Sequence, residues 1–152
     1  LSEELEIKVE VLIPDSLPKL AIDAPKIERV LLNLVDNALK FTPIGGLVQV
    51  KAQATSDRAG FARIDVYDSG PGIPNNYKER IFDRFEQVDG SQGRRRGTGL
   101  GLTFCKLAVE AHGGHIWIED NPGGGSVFAF TLPISALPNK TAAAEQVAQS
   151  RH

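Results

Sequence analysis

The sequence is poor in sulfur and has no long apolar run. It contains one cysteine and no methionine among 152 residues, so Cys105 cannot form an internal disulfide. Three histidines and this cysteine show no zinc-ligand spacing. We therefore expect a reducing, cytoplasmic setting, with Cys105 as a small core residue. No apolar run approaches the ~20 residues that cross a bilayer, so we expect no membrane contact by this domain.

The sequence also lacks a large excess of charge of either sign. The formal net charge of −2 provides no overall attraction to nucleic acid or to an anionic membrane, and we expect neither as a partner. Apolar residues make up 41% and charged residues 24%, as in soluble globular proteins. We predict one domain over residues 1–136, and we expect the alanine-rich, polar segment 137–152 to be disordered. Because the sequence starts without methionine, we also expect it to be a piece of a larger protein.

Hydrophobic periodicity predicts helices and strands in the first half of the chain. Alternating apolar residues from Leu5 to Val11 predict a half-buried strand with one wet face. Asp23 is placed to cap a helix that has Pro25 in its first turn and runs to about Lys40. Two further alternating runs predict strands that pair as a hairpin, over residues 48–54 and 64–68.

The second half of the chain predicts a mobile segment, a helix and another hairpin. The glycine- and proline-containing stretch from Ser69 to Arg96 is predicted to be a lid around one short helix near 77–85. A helix follows over 100–111 and stops at a pair of glycines. Strands over 116–119 and 126–132 are predicted to form an antiparallel hairpin.

Two asparagines lie four residues apart on the first predicted helix. Asn33 and Asn37 therefore point in nearly the same direction, with Lys40 beside them. Asparagine is a poor helix former, so two on one face cost stability unless their amides have a role, such as coordinating a hard cation like Mg²⁺. The alternative is a solvated helix edge, and the spacing alone does not decide between the two.

The strand predicted over residues 64–68 ends in a carboxylate, that of Asp68. It shares strand parity with Ile64 and Val66, so its side chain points to the face that they bury. A buried carboxylate needs a hydrogen-bond donor, and an adenine amino group could supply one. Gly70 and Gly72 would let the backbone approach a flat ligand closely. The alternative is a turn in which Asp68 accepts from amides of its own loop.

A glycine-rich string opens directly into the helix predicted over 100–111. Free backbone amides and the helix dipole favour a phosphate there. The string is not a Walker loop, because no Lys-Ser/Thr follows, and a loop rather than a strand precedes it. The segment Arg94 to Arg96 could add contacts to phosphates or could be solvated. The residues of the string are Gly97, Thr98, Gly99, Leu100, Gly101 and Leu102.

In this order and spacing the motifs closely resemble the ATP-binding domain of sensor histidine kinases. These kinases belong to a wider family that includes the gyrase, heat-shock-90 and mismatch-repair ATPases. The resemblance covers about 5–133 and implies an α/β (α+β) two-layer sandwich, with one mixed, largely antiparallel sheet covered on one face by helices, and an ATP lid. The asparagine, first glycine, phenylalanine, second glycine and third glycine motifs match 32–43, 68–74, 81–85, 97–102 and 123–126.

The resemblance implies a role for each matching residue. Asn37 would ligate Mg²⁺, and Asn33 would assist at the metal and the γ-phosphate. Lys40 would meet a phosphate, Phe41 would lie against the nucleotide, and Asp68 would accept from the adenine amino group. The other expected ATP contacts are Gly70, Gly72, Ile73, Arg96, Gly97, Thr98, Gly99, Leu100, Gly101 and Leu102.

The resemblance further implies phosphoryl transfer rather than hydrolysis. The self-hydrolysing ATPases typically place a glutamate base where this chain has Asn33, and an amide cannot abstract a proton from water. The accepting histidine normally lies on a helical hairpin before this domain, and no such segment is found in the sequence. The implied partners are a dimeric helical phosphoacceptor domain of the parent kinase and a response-regulator receiver domain.

Two other functions stay open. One is a degenerate regulatory module that binds ATP without transfer. The other is a serine kinase of the anti-sigma-factor type, which usually lacks a clear phenylalanine motif; Phe82 and Phe85 favour the histidine kinase over it. His112 and His115 have no catalytic partner at triad-like spacing, and we predict structural roles for them.

Overall fold

The computed structural model describes residues 6–55, 59–83 and 100–135, and these residues form one sheet with two α-helices. The sheet order is β1-β2-β3-β5-β4, with β1 parallel to β2 and all other neighbours antiparallel. This arrangement confirms the predicted mixed, largely antiparallel sheet. The elements are β1 (Lys8–Leu12), α1 (Ala24–Phe41), β2 (Leu47–Ala54), β3 (Phe61–Asp68), α2 (Leu100–Ala111), β4 (Ile116–Asp120) and β5 (Ser126–Pro133).

Helix α1 begins and ends where its sequence signals predict. The Asp23 side chain accepts from the backbone N–H of Lys26 at 3.3 Å, and proline lies in the first turn. At the other end, the Thr42 N–H donates to the Ala38 carbonyl. The buried stripe packs on the sheet and consists of Ile27, Val30, Leu34, Asn37 and Ala38.

Helix α2 and strand β5 complete the core. Cys105 is fully buried, as predicted, and burial raises the pKa of its thiol to about 12, so it is held as an unreactive thiol. Phe128 and Phe130 of β5 are buried on the same side of the sheet. Within the described ranges, no helix has the length and apolarity that a membrane crossing requires.

The prediction that β1 is half-buried was wrong. The strand forms, but Val9 is 37% and Val11 62% exposed, and only Ile7, just before the strand, is buried. The reason is position: β1 is an edge strand, paired only with β2 in the described sheet, and α1 packs mainly on β3 and β2. An alternating pattern reports which side chains share a face, and it does not report whether that face is covered.

The predicted short helix over 77–85 was also wrong. Two separate 3₁₀ turns occupy this stretch, Asn75–Tyr77 and Arg80–Phe82. Phe82 is buried and packs edge to face on Phe128, with ring centroids 6.1 Å apart. Phe85, the predicted lid beyond residue 83 and the predicted disordered tail lie outside the described residues.

His112 joins the two helices. Its Nε2 accepts from the Asp23 N–H at 3.0 Å, and its Nδ1 lies 2.7 Å from the Ala108 carbonyl oxygen. The only tautomer that serves both contacts carries its proton on Nδ1. The end of α2 is thereby tied to the start of α1, which supports the predicted structural role.

We predict that His112→Ala lowers the free energy of unfolding by about 1 kcal/mol, because both hydrogen bonds are lost near the surface. The melting temperature should fall by roughly 3 °C for a domain of this size. Thermal and chemical unfolding measure both quantities. Lys19→Ala, an exposed change, should have little effect. An equal loss in both variants would contradict the assigned role of the histidine.

Candidate functional site

The end of α1 meets the loop that follows β3. A Cβ added to Gly70 would lie 2.8 Å from the Phe41 carbonyl oxygen, so the two backbone segments approach more closely than any other residue would allow. The Ser69 hydroxyl also accepts from the Leu47 N–H at 2.9 Å. We call residues 69–74 the base loop. Its position against α1 brings the predicted asparagine and first glycine motifs together.

Asp68 lies at the root of the base loop and is only 4% exposed. Its Oδ1 accepts from the Gly70 N–H at 2.9 Å and from the Ser126 N–H at 3.2 Å. Burial raises the pKa of its carboxyl, and the two backbone hydrogen bonds oppose this rise. The predicted orientation toward the buried face is confirmed. The alternative, an acceptor for its own loop amides, is also observed through Gly70.

The turn between β4 and β5 contacts the backbone carbonyl of Asp68. Asn121 donates from Nδ2 to the Asp68 carbonyl oxygen at 2.9 Å. Gly125 has φ of +101°, and a Cβ there would lie 2.0 Å from the Asp68 carbonyl oxygen. Sequence reasoning assigned no site role to Asn121 or Ser126. The third glycine motif contains Ser126, which acts through its backbone, and it does not reach Asn121.

The side-chain NH₂ group of Asn37 is buried and has no hydrogen-bond partner among the described residues. The residue is 5% exposed. A buried, unpaired amide costs about 1–3 kcal/mol. The burial of Asn37 rules out a solvated helix edge for this residue. A group that is buried but unpaired is instead suited to a ligand.

Asn33 connects α1 to the first turn of α2. Its Nδ2 donates to the Gly101 carbonyl oxygen at 3.3 Å, and the side chain is half-buried. The predicted asparagine stripe and the last part of the glycine-rich string are therefore in contact. Gly101 itself is exposed, and Leu102 packs against the core.

The other predicted residues divide between this site and the undescribed segments. Lys40 lies on the last turn of α1, where its Nζ is 3.1 Å from the Asp36 carboxylate, and Phe41 next to it is half-buried. Ile73, in the base loop, packs against the core. Arg96, Gly97, Thr98, Gly99 and the side chain of Leu100 lie outside what the structure describes.

The assembled groups suit a ligand with two different ends. A buried carboxylate at the end of β3 can recognise a hydrogen-bond donor on a flat group. The amides of Asn33 and Asn37 can serve a hard cation or anionic oxygens. Within the described ranges no cluster of three His, Cys, Asp or Glu side chains could hold a metal, so a cation here would depend on amide oxygen and on the ligand itself.

The family described as "Histidine kinase-, DNA gyrase B-, and HSP90-like ATPase" matches residues 22–136. The adaptive-response sensory kinase SasA of Nostoc sp. is 41% identical over 84% of this chain and 31% of its own length. The sensor histidine kinase TmoS of Ectopseudomonas mendocina is 47% identical over 76% of this chain and 12% of its own length. The chain thus spans about a third or less of these relatives.

Solved structures with the same fold include histidine kinase domains. The catalytic domain of histidine kinase ThkA, nucleotide-free, superposes with a TM-score of 0.74 at 33% identity and covers 88% of this chain and 82% of that one. ThkA in complex with the response regulator TrrA gives a TM-score of 0.69 at 29% identity, over 88% of this chain and 36% of that one.

We predict that Asp68→Asn makes the ligand-free protein more stable at neutral pH. The raised pKa means that the folded chain holds this proton more tightly than the unfolded chain, so the contribution of Asp68 to the free energy of unfolding is greatest in acid and falls as pH rises through the raised pKa. Asparagine keeps the acceptor for Gly70 and Ser126 without the buried charge.

Urea unfolding of both proteins across the acidic to neutral range measures this difference. The stability advantage of the variant should grow as pH rises. Asp65 also has a raised pKa, but it is present in both proteins and cancels. Asp36→Asn removes the same charge from an exposed position and should show no such growth. An advantage that shrinks with rising pH would contradict the assignment.

Proposed function

Because the chain belongs to the histidine kinase-, DNA gyrase B- and HSP90-like ATPase family, we propose that it binds Mg·ATP and donates the γ-phosphoryl group to a histidine on a separate domain. Two observations carry this proposal: the buried Asn37 amide, whose Nδ2 has no hydrogen-bond partner among the described residues, and the buried Asp68 carboxylate. One group serves the phosphate end of a nucleotide and the other serves its base.

The fit to Mg²⁺ rests on Asn37. An amide offers its oxygen to a hard cation and its NH₂ group to a phosphate oxygen, and Nδ2 of this residue lacks a partner among the described residues. Asn33 lies one turn earlier and contacts the start of α2 through Gly101, so it would assist at the metal and the γ-phosphate. The bound cation would supply charge neutralisation on the phosphates. Lys40, at the end of α1, would reach a phosphate by exchanging its contact with Asp36.

The base would be recognised by Asp68. Its Oδ1 already accepts two backbone hydrogen bonds, and we assign the adenine amino group to the remaining capacity of the carboxylate. Phe41, at the end of α1, and Ile73, in the base loop, are both half-buried. We assign both side chains to contacts with the nucleotide. Gly70 and Gly72 let the base loop take this position, since a Cβ at Gly70 would strike the Phe41 carbonyl and Gly72 has a φ of +86°.

Transfer to a histidine requires positioning more than acid–base catalysis. A histidine ring nitrogen forms a bond to the γ-phosphorus while the bond from that phosphorus to the β,γ-bridging oxygen breaks, and ADP leaves. Asn33 has no carboxylate to activate water, which disfavours hydrolysis. No residue of this chain is proposed as the nucleophile.

The partners follow from the proposed reaction. The acceptor would be a dimeric helical domain of the parent kinase, and a response-regulator receiver domain would take the phosphoryl group next, in a two-component system in the cytoplasm. The ThkA structure in complex with the response regulator TrrA supports this class of partner. An ATP-binding module without transfer is the second candidate, and the assay for transfer separates the two.

We predict that Asn37→Ala weakens binding of an unhydrolysable ATP analogue at least about tenfold and removes its Mg²⁺ dependence, because the amide oxygen and the NH₂ group are both lost. Calorimetric titration with and without Mg²⁺ measures this. Asn76→Ala, at an exposed asparagine in the first 3₁₀ turn, is the matched control and should bind normally. Normal binding by Asn37→Ala would refute the site.

We predict that this chain transfers the label of γ-labelled ATP to an added helical hairpin domain of a sensor kinase. A hairpin whose histidine is replaced should not be labelled. Without the hairpin, little inorganic phosphate should be released, since Asn33 cannot act as a general base. Gel autoradiography and phosphate release measure the two reactions. Tight binding with no transfer to any hairpin would favour the regulatory module. Steady hydrolysis would contradict the proposed chemistry.

A further inference from the structure

Lys78 has every donor of its ammonium group occupied. It lies between the two 3₁₀ turns, and its side chain is 16% exposed. Its Nζ lies 2.8 Å from the Ile73 carbonyl oxygen, 2.6 Å from Asn75 Oδ1 and 2.9 Å from Asp120 Oδ1. An ammonium has three donors, so these three acceptors fix its position.

The three acceptors belong to two different parts of the site. Ile73 and Asn75 belong to the end of the base loop and the turn that follows it, whereas Asp120 ends β4. The residue after Asp120 is Asn121, which holds the Asp68 carbonyl at the start of the base loop. The β4–β5 turn is therefore tied to both ends of the base loop, through Asn121 at one end and through Lys78 at the other.

The contact with the Ile73 carbonyl distinguishes Lys78 from a surface ion pair. Asp120 is 74% exposed, and an exposed ion pair alone contributes little to stability. A charged hydrogen bond to a part-buried carbonyl is stronger, and its loss leaves that carbonyl without the donor. Loss of the Lys78 ammonium should therefore change the orientation of the peptide group at Ile73.

We propose that Lys78 is a positioning residue that holds the base loop in the geometry that accepts adenine. This inference rests on the proposed function, since it takes Asp68 and Ile73 to be the residues that bind the base. Lys78 would touch no atom of the nucleotide. Its effect should fall on binding of the base and spare binding of the phosphates, because Asn33 and Asn37 lie on α1, whereas the acceptors of Lys78 lie on residues 73, 75 and 120.

The test is Lys78→Met, which keeps the length of the side chain and removes its donors. We expect the dissociation constant of ADP to rise about five- to twentyfold, while inorganic tripolyphosphate, measured by competition against a fluorescent nucleotide, changes less than about twofold. Lys78→Arg should recover most of the ADP affinity. Lys8→Met removes an ion pair with Glu10 on the edge strand and is the matched control.

Each outcome bears on the inference. Unchanged ADP binding by Lys78→Met, or an equal loss for ADP and tripolyphosphate, would overturn it. Failure of the wild-type protein to bind ADP would instead refute the proposed function. If Lys78→Met does not fold, Asp120→Ala removes the acceptor on the β4 side of the same connection, and we expect a smaller, base-selective loss of about two- to fivefold. No loss of ADP affinity in Asp120→Ala would then overturn the inference.

Discussion

The Asp68 carboxylate is buried at the end of β3, and its need for hydrogen-bond donors shapes the loops around it. A charge at the end of a central strand is held only if backbone donors surround it, and here they come from two separate segments, at Gly70 and Ser126. The base loop must therefore turn back at once, and β5 must begin directly beside it. The glycines at 70 and 125 follow from this crowding, since a side chain at either would strike backbone.

The sequence predicts local structure well because its signals act over a few residues. The Asp23 cap, the stripe of α1 and the two hairpins are each set by neighbours in the chain, and the structure has all of them. Exposure of Val11 could not be predicted, since cover by a helix depends on where the strand lies in the sheet. The two 3₁₀ turns replace a predicted helix because the contacts of Lys78 with Asp120 and of Phe82 with Phe128 hold that stretch against other parts of the chain.

The site shows the same division between local and distant causes. Asn37 and Asp68 could be identified because their residue types are costly where the pattern places them, on a helix face and on the buried side of a strand. Asn121, Ser126 and Lys78 could not, because each has a partner that is close only in the fold. That partner is Asp68 for Asn121 and Ser126, which are 53 and 58 residues away from it, and Asp120 for Lys78. Two of the three also bind backbone atoms, which carry no mark in the sequence.

Both central groups burden the ligand-free fold. Asn37 leaves an amide unpaired among the described residues, and Asp68 keeps a carboxylate whose pKa burial has raised. Neither residue improves stability by being there, whereas an apolar or neutral side chain would. Thermodynamic linkage turns this into an argument for function: a ligand that satisfies both groups binds only the folded chain and stabilises it in proportion to its affinity. A donor-bearing base joined to anionic, metal-bound oxygens would satisfy both groups at once, which is why the ligand that we propose is a nucleotide.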